Sequence, residues 1–343
     1  MDREIEKLLR TADYDFLRTN PHLGDKICML TLGGSRAYGT NTPESDVDIR
    51  GIALPSKKEI LLGRDFEQVV EKQTDTVVYS INKMITLLSG CNPNTIEIAG
   101  LPRDEYFILT KEGELLLDNI GMFLSVKAAD SFGGYATQQL YRLQQKSLYA
   151  MSEKEYGDHI KSVLDKMIEE FRKKYNIYLN IRVSRSGELS INGSFEGLDM
   201  EKMNEVLNSL HNTYRDYTKH SHRNENAMTH GKIAKHSMHL IRLYMMGIDI
   251  LEKGEINTKR TKEHDLLMSI RNGDYLDESG TPTKEFFDMV KDYEARFNSA
   301  KHHTVLPPTP NTKEIEELKA AINESIVCGK EVEYEQGLEE KER

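Results

Sequence analysis

The period of hydrophobic and polar positions changes several times in the first hundred residues. Residues 1–18 place Ile5, Leu8 and Leu9, then Tyr14 and Leu17, at helical spacing. The short apolar runs ICMLTLGG (27–34) and VDIRGIAL (47–54) predict strands, and FEQVV (66–70) predicts a further short one. DTVVYSI (75–81) has the β-branched and aromatic content of a strand, and NKMITLLSG (82–90) returns to helical spacing before the turn-like CNPN. Helix, strand, loop, strand, strand and helix make an α+β pattern around a small mixed sheet.

Beyond about residue 113 the pattern becomes helical. Residues 120–172 predict long helices, and alternation around a Ser-Gly turn at 176–195 predicts an inserted β-hairpin. Helical spacing returns at 200–214, 227–254 and 283–300. VLPPTPN (305–311) is a linker by composition, followed by an amphipathic helix near 312–326 and an acidic, frayed tail. The expected organisation is a domain over 1–112, a mostly helical domain with the hairpin over 113–304, and a linker, helix and tail over 305–343. No internal repeat is visible.

Composition narrows the classes. The chain has 343 residues, 38% hydrophobic and 30% charged, as expected of a water-soluble globular protein of about two domains. No run approaches the roughly eighteen apolar residues of a membrane span. MDREIEKLLRTADYDFL lacks the apolar core of a secretory signal. Cys28, Cys91 and Cys328 lie far apart, which points to a reducing, cytoplasmic setting without a disulfide framework. The net charge of −10 argues against non-specific coating of nucleic acid, while local basic stretches remain.

One stretch carries candidate chemistry: TLGGSRAYGTNTPESDVDIRGI, residues 31–52. Glycines at a strand end let backbone approach a ligand closely, and the N–H groups of such a turn suit phosphate oxygens. Gly33-Gly34-Ser35 alone is an ordinary turn as readily as a phosphate cradle. After a spacer of ten residues come Asp46 and Asp48, which on a strand would project to one face. Two adjacent carboxylates favour a cation between them, and Mg²⁺ with oxygen ligands fits; two solvated aspartates are the bland alternative.

GGSRAYGTNTPESDVDIRG resembles the signature of the DNA polymerase beta-type nucleotidyltransferase superfamily. Its Arg-Ala-Tyr-Gly-Thr and Ser-Asp-x-Asp-x-Arg-Gly elements, with the later NPNTIE, are similar to the RNA-ligase-associated nucleotidyltransferase branch. The likeness is dense over 28–101 and looser over 225–275, with HSMHLIRLYMMGIDILEKGEI in the branch's helical region. It implies a palm-like catalytic domain followed by a helical one. The implied reaction moves an NMP from an NTP to a hydroxyl, releasing pyrophosphate, with two Mg²⁺ ions (Mn²⁺ as substitute) held by acidic side chains.

On that reading Asp46 and Asp48 are metal ligands and Asp75 is the third carboxylate, with Glu67, Glu71 and Glu97 as competitors. Gly34 and Ser35 meet the phosphates of the NTP, with ATP among the candidates. Arg36 adds charge there or faces solvent. Arg50, two residues beyond Asp48, orients a carboxylate, touches substrate or forms only a salt bridge.

His220, His222, Arg223, His230, Lys232, Lys235, His236, His239 and Arg242 crowd into one stretch. Of these, Lys235, His239 and Arg242 share a helical face suited to a triphosphate, or else form a solvated basic face. No cysteine or HExxH spacing supports zinc.

The acceptor is an RNA end (tRNA included), a protein side chain or a small molecule. Residues 171–174 (FRKK), Arg182 and Arg185 lean toward RNA. The hairpin at 176–195 is an acceptor-binding module or the edge of a homo-oligomer. A catalytically inactive nucleotide-binding protein is the rival class.

Overall fold

The structure, a computed structural model, describes residues 3–148, 153–175, 177–183, 189–218, 232–278, 280–332 and 334. Strands β1 (Ile27–Leu32), β2 (Ile49–Ala53), β3 (Gln68–Glu71), β4 (Thr76–Ser80) and β5 (Tyr106–Leu109) form one sheet in the order β3-β4-β2-β1-β5. The β2–β4 pair is parallel and the others are antiparallel, so the sheet is mixed, as the pattern of short strands implied. A second sheet is the hairpin of β6 (Tyr178–Val183) and β7 (Leu189–Ser194).

Helices α1 (Arg3–Leu8), α2 (Phe16–Thr19), α3 (Gly34–Tyr38), α4 (Lys57–Leu61), α5 (Ile81–Ser89), α6 (Pro93–Ile96) and α7 (Lys111–Asp118) alternate with the first five strands. They are followed by α8 (Lys127–Leu148), α9 (Glu153–Tyr175), α10 (Met200–Thr218) and α11 (Lys232–Lys253). The last are α12 (His264–Asn272), α13 (Lys284–His303) and α14 (Thr312–Cys328). This is an α+β molecule with a helical remainder. No described helix is long and apolar enough to cross a membrane.

Two compact units emerge. One contains Met1–Gln138, Met238–Ser269 and Asp288–Arg343; the other contains Gln139–Ser237 and Ile270–Phe287. In the first, Ile5, Leu9, Tyr14 and Leu17 pack against Ile27, Leu30, Ile49 and Val78 of the sheet. The expected single N-terminal helix is broken: α1 ends at Leu8, and a short turn of helix separates it from α2. Helices α5 and α7 pack on strands β1, β2 and β4. In the second unit, Leu164, Ile168, Ile177, Leu179, Val206 and Leu210 close a separate core. Removing such side chains from water is what holds each unit together, at roughly 1.5–3 kcal/mol per large aliphatic group.

Candidate active site

The chain turns sharply after β1. Gly33 is extended, and Gly34 has φ = +56°, in the left-handed region that side chains with a Cβ avoid. Helix α3 starts there, so Ser35 lies in its first turn, buried, rather than in an open loop. The glycines are required by contact as well as by φ. A Cβ on Gly34 would fall 1.8 Å from Asp48 Oδ2, and one on Gly33 would fall 2.7 Å from Arg50 Cγ. The Gly33 N–H donates to the Asp48 carbonyl at 2.8 Å, which ties the turn to the start of β2. Asp48 is thus seated directly on the glycine turn.

Strand β2 starts at Ile49, so Asp46 and Asp48 lie in the segment leading into the strand, and the strand alternation expected for them does not apply. Asp46 is exposed. Its carbonyl accepts from Arg36 Nε at 3.3 Å, and the Ser45 carbonyl accepts from Arg36 Nη2 at 3.2 Å. Arg36 therefore straps the 41–48 loop to α3.

Asp75 ends the turn before β4, at φ = 43°, in a region where aspartate is among the tolerated residues. The parallel register pairs Ile49 with Thr76, and the Ile49 N–H donates to the Asp75 carbonyl at 3.3 Å. Asp48 and Asp75 thus precede paired positions of adjacent parallel strands. Arg50 joins them: Nη2 lies 3.3 Å from Asp75 Oδ1 and 4.0 Å from Asp48 Oδ1, while Nη1 donates to the Asp75 carbonyl at 2.5 Å. Of the competing carboxylates, Glu67 pairs with Lys83 and Glu71 accepts from the Gln73 N–H.

Glu97 is buried against Arg242, Oε2 to Nη1 at 3.8 Å. Burial pushes its carboxyl up to about 7, against the pull of the guanidinium, and burial lowers Arg242 to about 10. Arg242 stays a cation at neutral pH.

Rather than projecting to solvent as a phosphate-binding face requires, Arg242 is 1% exposed. Its guanidinium stacks on the Tyr38 ring at 3.4 Å, and Nη2 meets His239 Nδ1 at 2.8 Å. Tyr38 is the last residue of α3, so Arg242 and His239 reach the glycine turn through that helix. Lys235, on the same helix α11, is exposed and falls in the other unit. His220, His222, Arg223, His230 and Arg185 lie outside the described residues. Sequence reading missed the segment after α11: the Thr258 hydroxyl donates to the Glu97 carbonyl at 2.7 Å, and the Arg260 N–H donates to the Tyr38 carbonyl at 3.3 Å. No local pattern marks either contact.

Among the described residues no group of three or more His, Cys, Asp or Glu side chains is arranged to hold a metal ion. The donor chemistry of Asp46 and Asp48, hard carboxylate oxygens beside a glycine turn, fits magnesium; the Asp75 carboxylate is engaged by Arg50. A hollow of about 520 Å³ lined by Leu9, Leu17, Leu30 and Phe107 lies elsewhere, under the N-terminal helices, and includes none of these aspartates.

A family model described as RlaP, RNA repair pathway DNA polymerase beta family, matches residues 5–170. Over those residues, just under half of the chain, the sequence is similar to this RNA repair pathway DNA polymerase beta family. No curated protein and no solved structure matches the chain. The RlaP match takes in all five strands of the large sheet, the glycine turn, Asp46, Asp48, Arg50, Asp75 and Glu97. His239, Arg242 and the β6–β7 hairpin lie beyond it.

Proposed function

We propose that the chain is a nucleotidyltransferase that moves an NMP from an NTP to a hydroxyl acceptor, with an RNA end as the preferred acceptor class. The observation that supports it best is the seating of Asp48 on the Gly33-Gly34 turn, with Asp75 at the neighbouring position of a parallel strand. In-line displacement at phosphorus needs positioned reactants and neutralised charge more than a covalent protein group. The N–H groups at the start of α3 would receive phosphate oxygens, with Arg36 fixing the loop that carries Asp46.

Asp46 and Asp48 would hold Mg²⁺ or Mn²⁺, and Asp75 is the third carboxylate. The metal, when bound, offsets charge on the reacting and leaving oxygens. Arg50 keeps Asp75 beside Asp48, and the Arg242–Tyr38 stack braces α3 from the far side of the turn.

The decisive experiment incubates the chain with each α-labelled NTP, Mg²⁺ or Mn²⁺, and RNA, protein or small-molecule acceptors. It follows label transfer and pyrophosphate release. Transfer is expected from the native chain and lost in Asp46→Ala and Asp48→Ala, with circular dichroism unchanged. Transfer surviving in both variants sinks the reading. NTP binding with no transfer to any acceptor favours an inactive nucleotide-binding protein.

A further inference from the structure

The second unit carries a surface that the transfer chemistry does not use. At the start of β6, Leu179 and the preceding Ile177 turn into the core, while Tyr178 and Asn180 are exposed. Across the hairpin Tyr178 pairs with Ser194 and Asn180 with Asn192, both exposed, and the next pair in register is Arg182 with Ser190. The outer face of the hairpin thus carries Tyr178 and Asn180 against Ser194 and Asn192, with no acidic position among them.

Tyr178 is 65% exposed, a large apolar ring left in water. The Arg172 guanidinium, from the end of α9, lies over it at 5.1 Å from the ring centre. The last turn of α9 contributes Arg172, Lys173 and Lys174 to the same neighbourhood. Arg172 and Lys174 pair with the exposed Glu169 and Glu205, contacts that salt screens readily. Lys173 is exposed and has no ion-pair partner among the described residues.

An exposed aromatic ring on a strand, amide and hydroxyl groups beside it and cations at its border combine the elements of a single-strand binding platform. Bases stack on the ring and the guanidinium, and lysines meet phosphates. We propose that the β6–β7 face, with the end of α9, binds single-stranded RNA, Tyr178 stacking a base and Lys173 contacting the backbone. The choice of RNA rests on the family reading above; the surface itself is independent of the aspartates.

The test measures anisotropy of a short fluorescein-labelled single-stranded RNA against the full chain over a salt series. Tyr178→Ala is expected to weaken binding roughly ten-fold, while Tyr178→Phe keeps native affinity. Lys173→Ala should lower the log–log salt slope by about 0.7, the share of one phosphate contact on a single strand. Asp48→Ala should bind as the native chain does, so loss of transfer and loss of RNA binding are separable. The proposal is overturned if the native chain does not bind the RNA, if Tyr178→Ala binds as tightly as native, or if duplex RNA binds equally well. It is also overturned if Tyr178→Ala changes only the sedimentation of the protein, which would assign the face to self-association.

Discussion

Gly34 leaves no room for even one methyl group. Its φ of +56° and the 1.8 Å approach of Asp48 Oδ2 to the place of a Cβ make Gly34→Ala a double fault. The backbone term is about 1–2 kcal/mol. The displacement of Asp48 is felt at the reacting groups, where an ångström can cost about 100-fold. Gly34→Ala is therefore expected to lose at least about 100-fold in label transfer, with a modest fall in urea midpoint. Native-like transfer would detach the glycine turn from catalysis.

Glu97 gives a pH prediction. Its folded pKa, near 7, lies above the ordinary carboxyl value of 4.5, so the folded state holds the proton longer than the unfolded one. Stability from this group is full below about pH 4.5 and declines as pH rises to about 7. The stability of Glu97→Gln relative to the native chain should then rise across that window, by up to on the order of 3 kcal/mol, and level off above it. Urea unfolding of both proteins at pH 5 and pH 8 checks this; a constant difference refutes it.

The same pair shows where residue-level reading stopped. Spacing of four and three puts Lys235, His239 and Arg242 on one helical face but does not say what that face meets. Arg242 meets Glu97 and Tyr38 from distant parts of the sequence, and a cation read as phosphate-binding, or else solvated, is in fact buried.

At the scale of elements, local pattern was informative wherever it repeats. The hairpin expected at 176–195 is Tyr178–Val183 with Leu189–Ser194, and the helix expected at 283–300 is Lys284–His303. Strand β5 was missed because Tyr106–Leu109 is too short to show a period. The parallel pairing of β2 with β4 was not legible, since register between separated strands leaves no mark in either. Yet that pairing is what puts Asp75 beside Asp48.

It also supports a clean substitution. Asparagine tolerates left-handed backbone, so Asp75→Asn keeps the turn and removes only charge. Stability is expected within about 0.5 kcal/mol of native, with transfer lost. Full activity in Asp75→Asn would confine Asp75 to anchoring Arg50.

For the whole molecule, two cores imply two sensitivities. Leu210 is buried with Leu164, Ile168 and Val206 in the core of the second unit, a cluster that includes no residue of the glycine turn. Leu210→Ala is expected to cost about 2–5 kcal/mol, lowering the calorimetric transition of the second unit. NTP affinity should stay native; a parallel loss of NTP binding would show that the two cores do not melt independently. The hairpin among helices was expected within a continuous stretch, 113–304, whereas the second unit comprises Gln139–Ser237 and Ile270–Phe287. That the first unit is assembled from three stretches of chain was not expected, because nothing local announces that α11, α13 and α14 serve it.

That discontinuity bears on the order in which the protein is made. The Thr258 hydroxyl that caps the Glu97 carbonyl is 161 positions downstream. At about 5–20 residues per second, Glu97 leaves the ribosome roughly 8–30 s before that partner exists. Arg242, its counter-charge, arrives only shortly before Thr258. Through that interval the nascent sheet carries a carboxyl group destined for burial and a helix α3 without its brace. The first unit can be completed only after the entire β6–β7 hairpin has been synthesised.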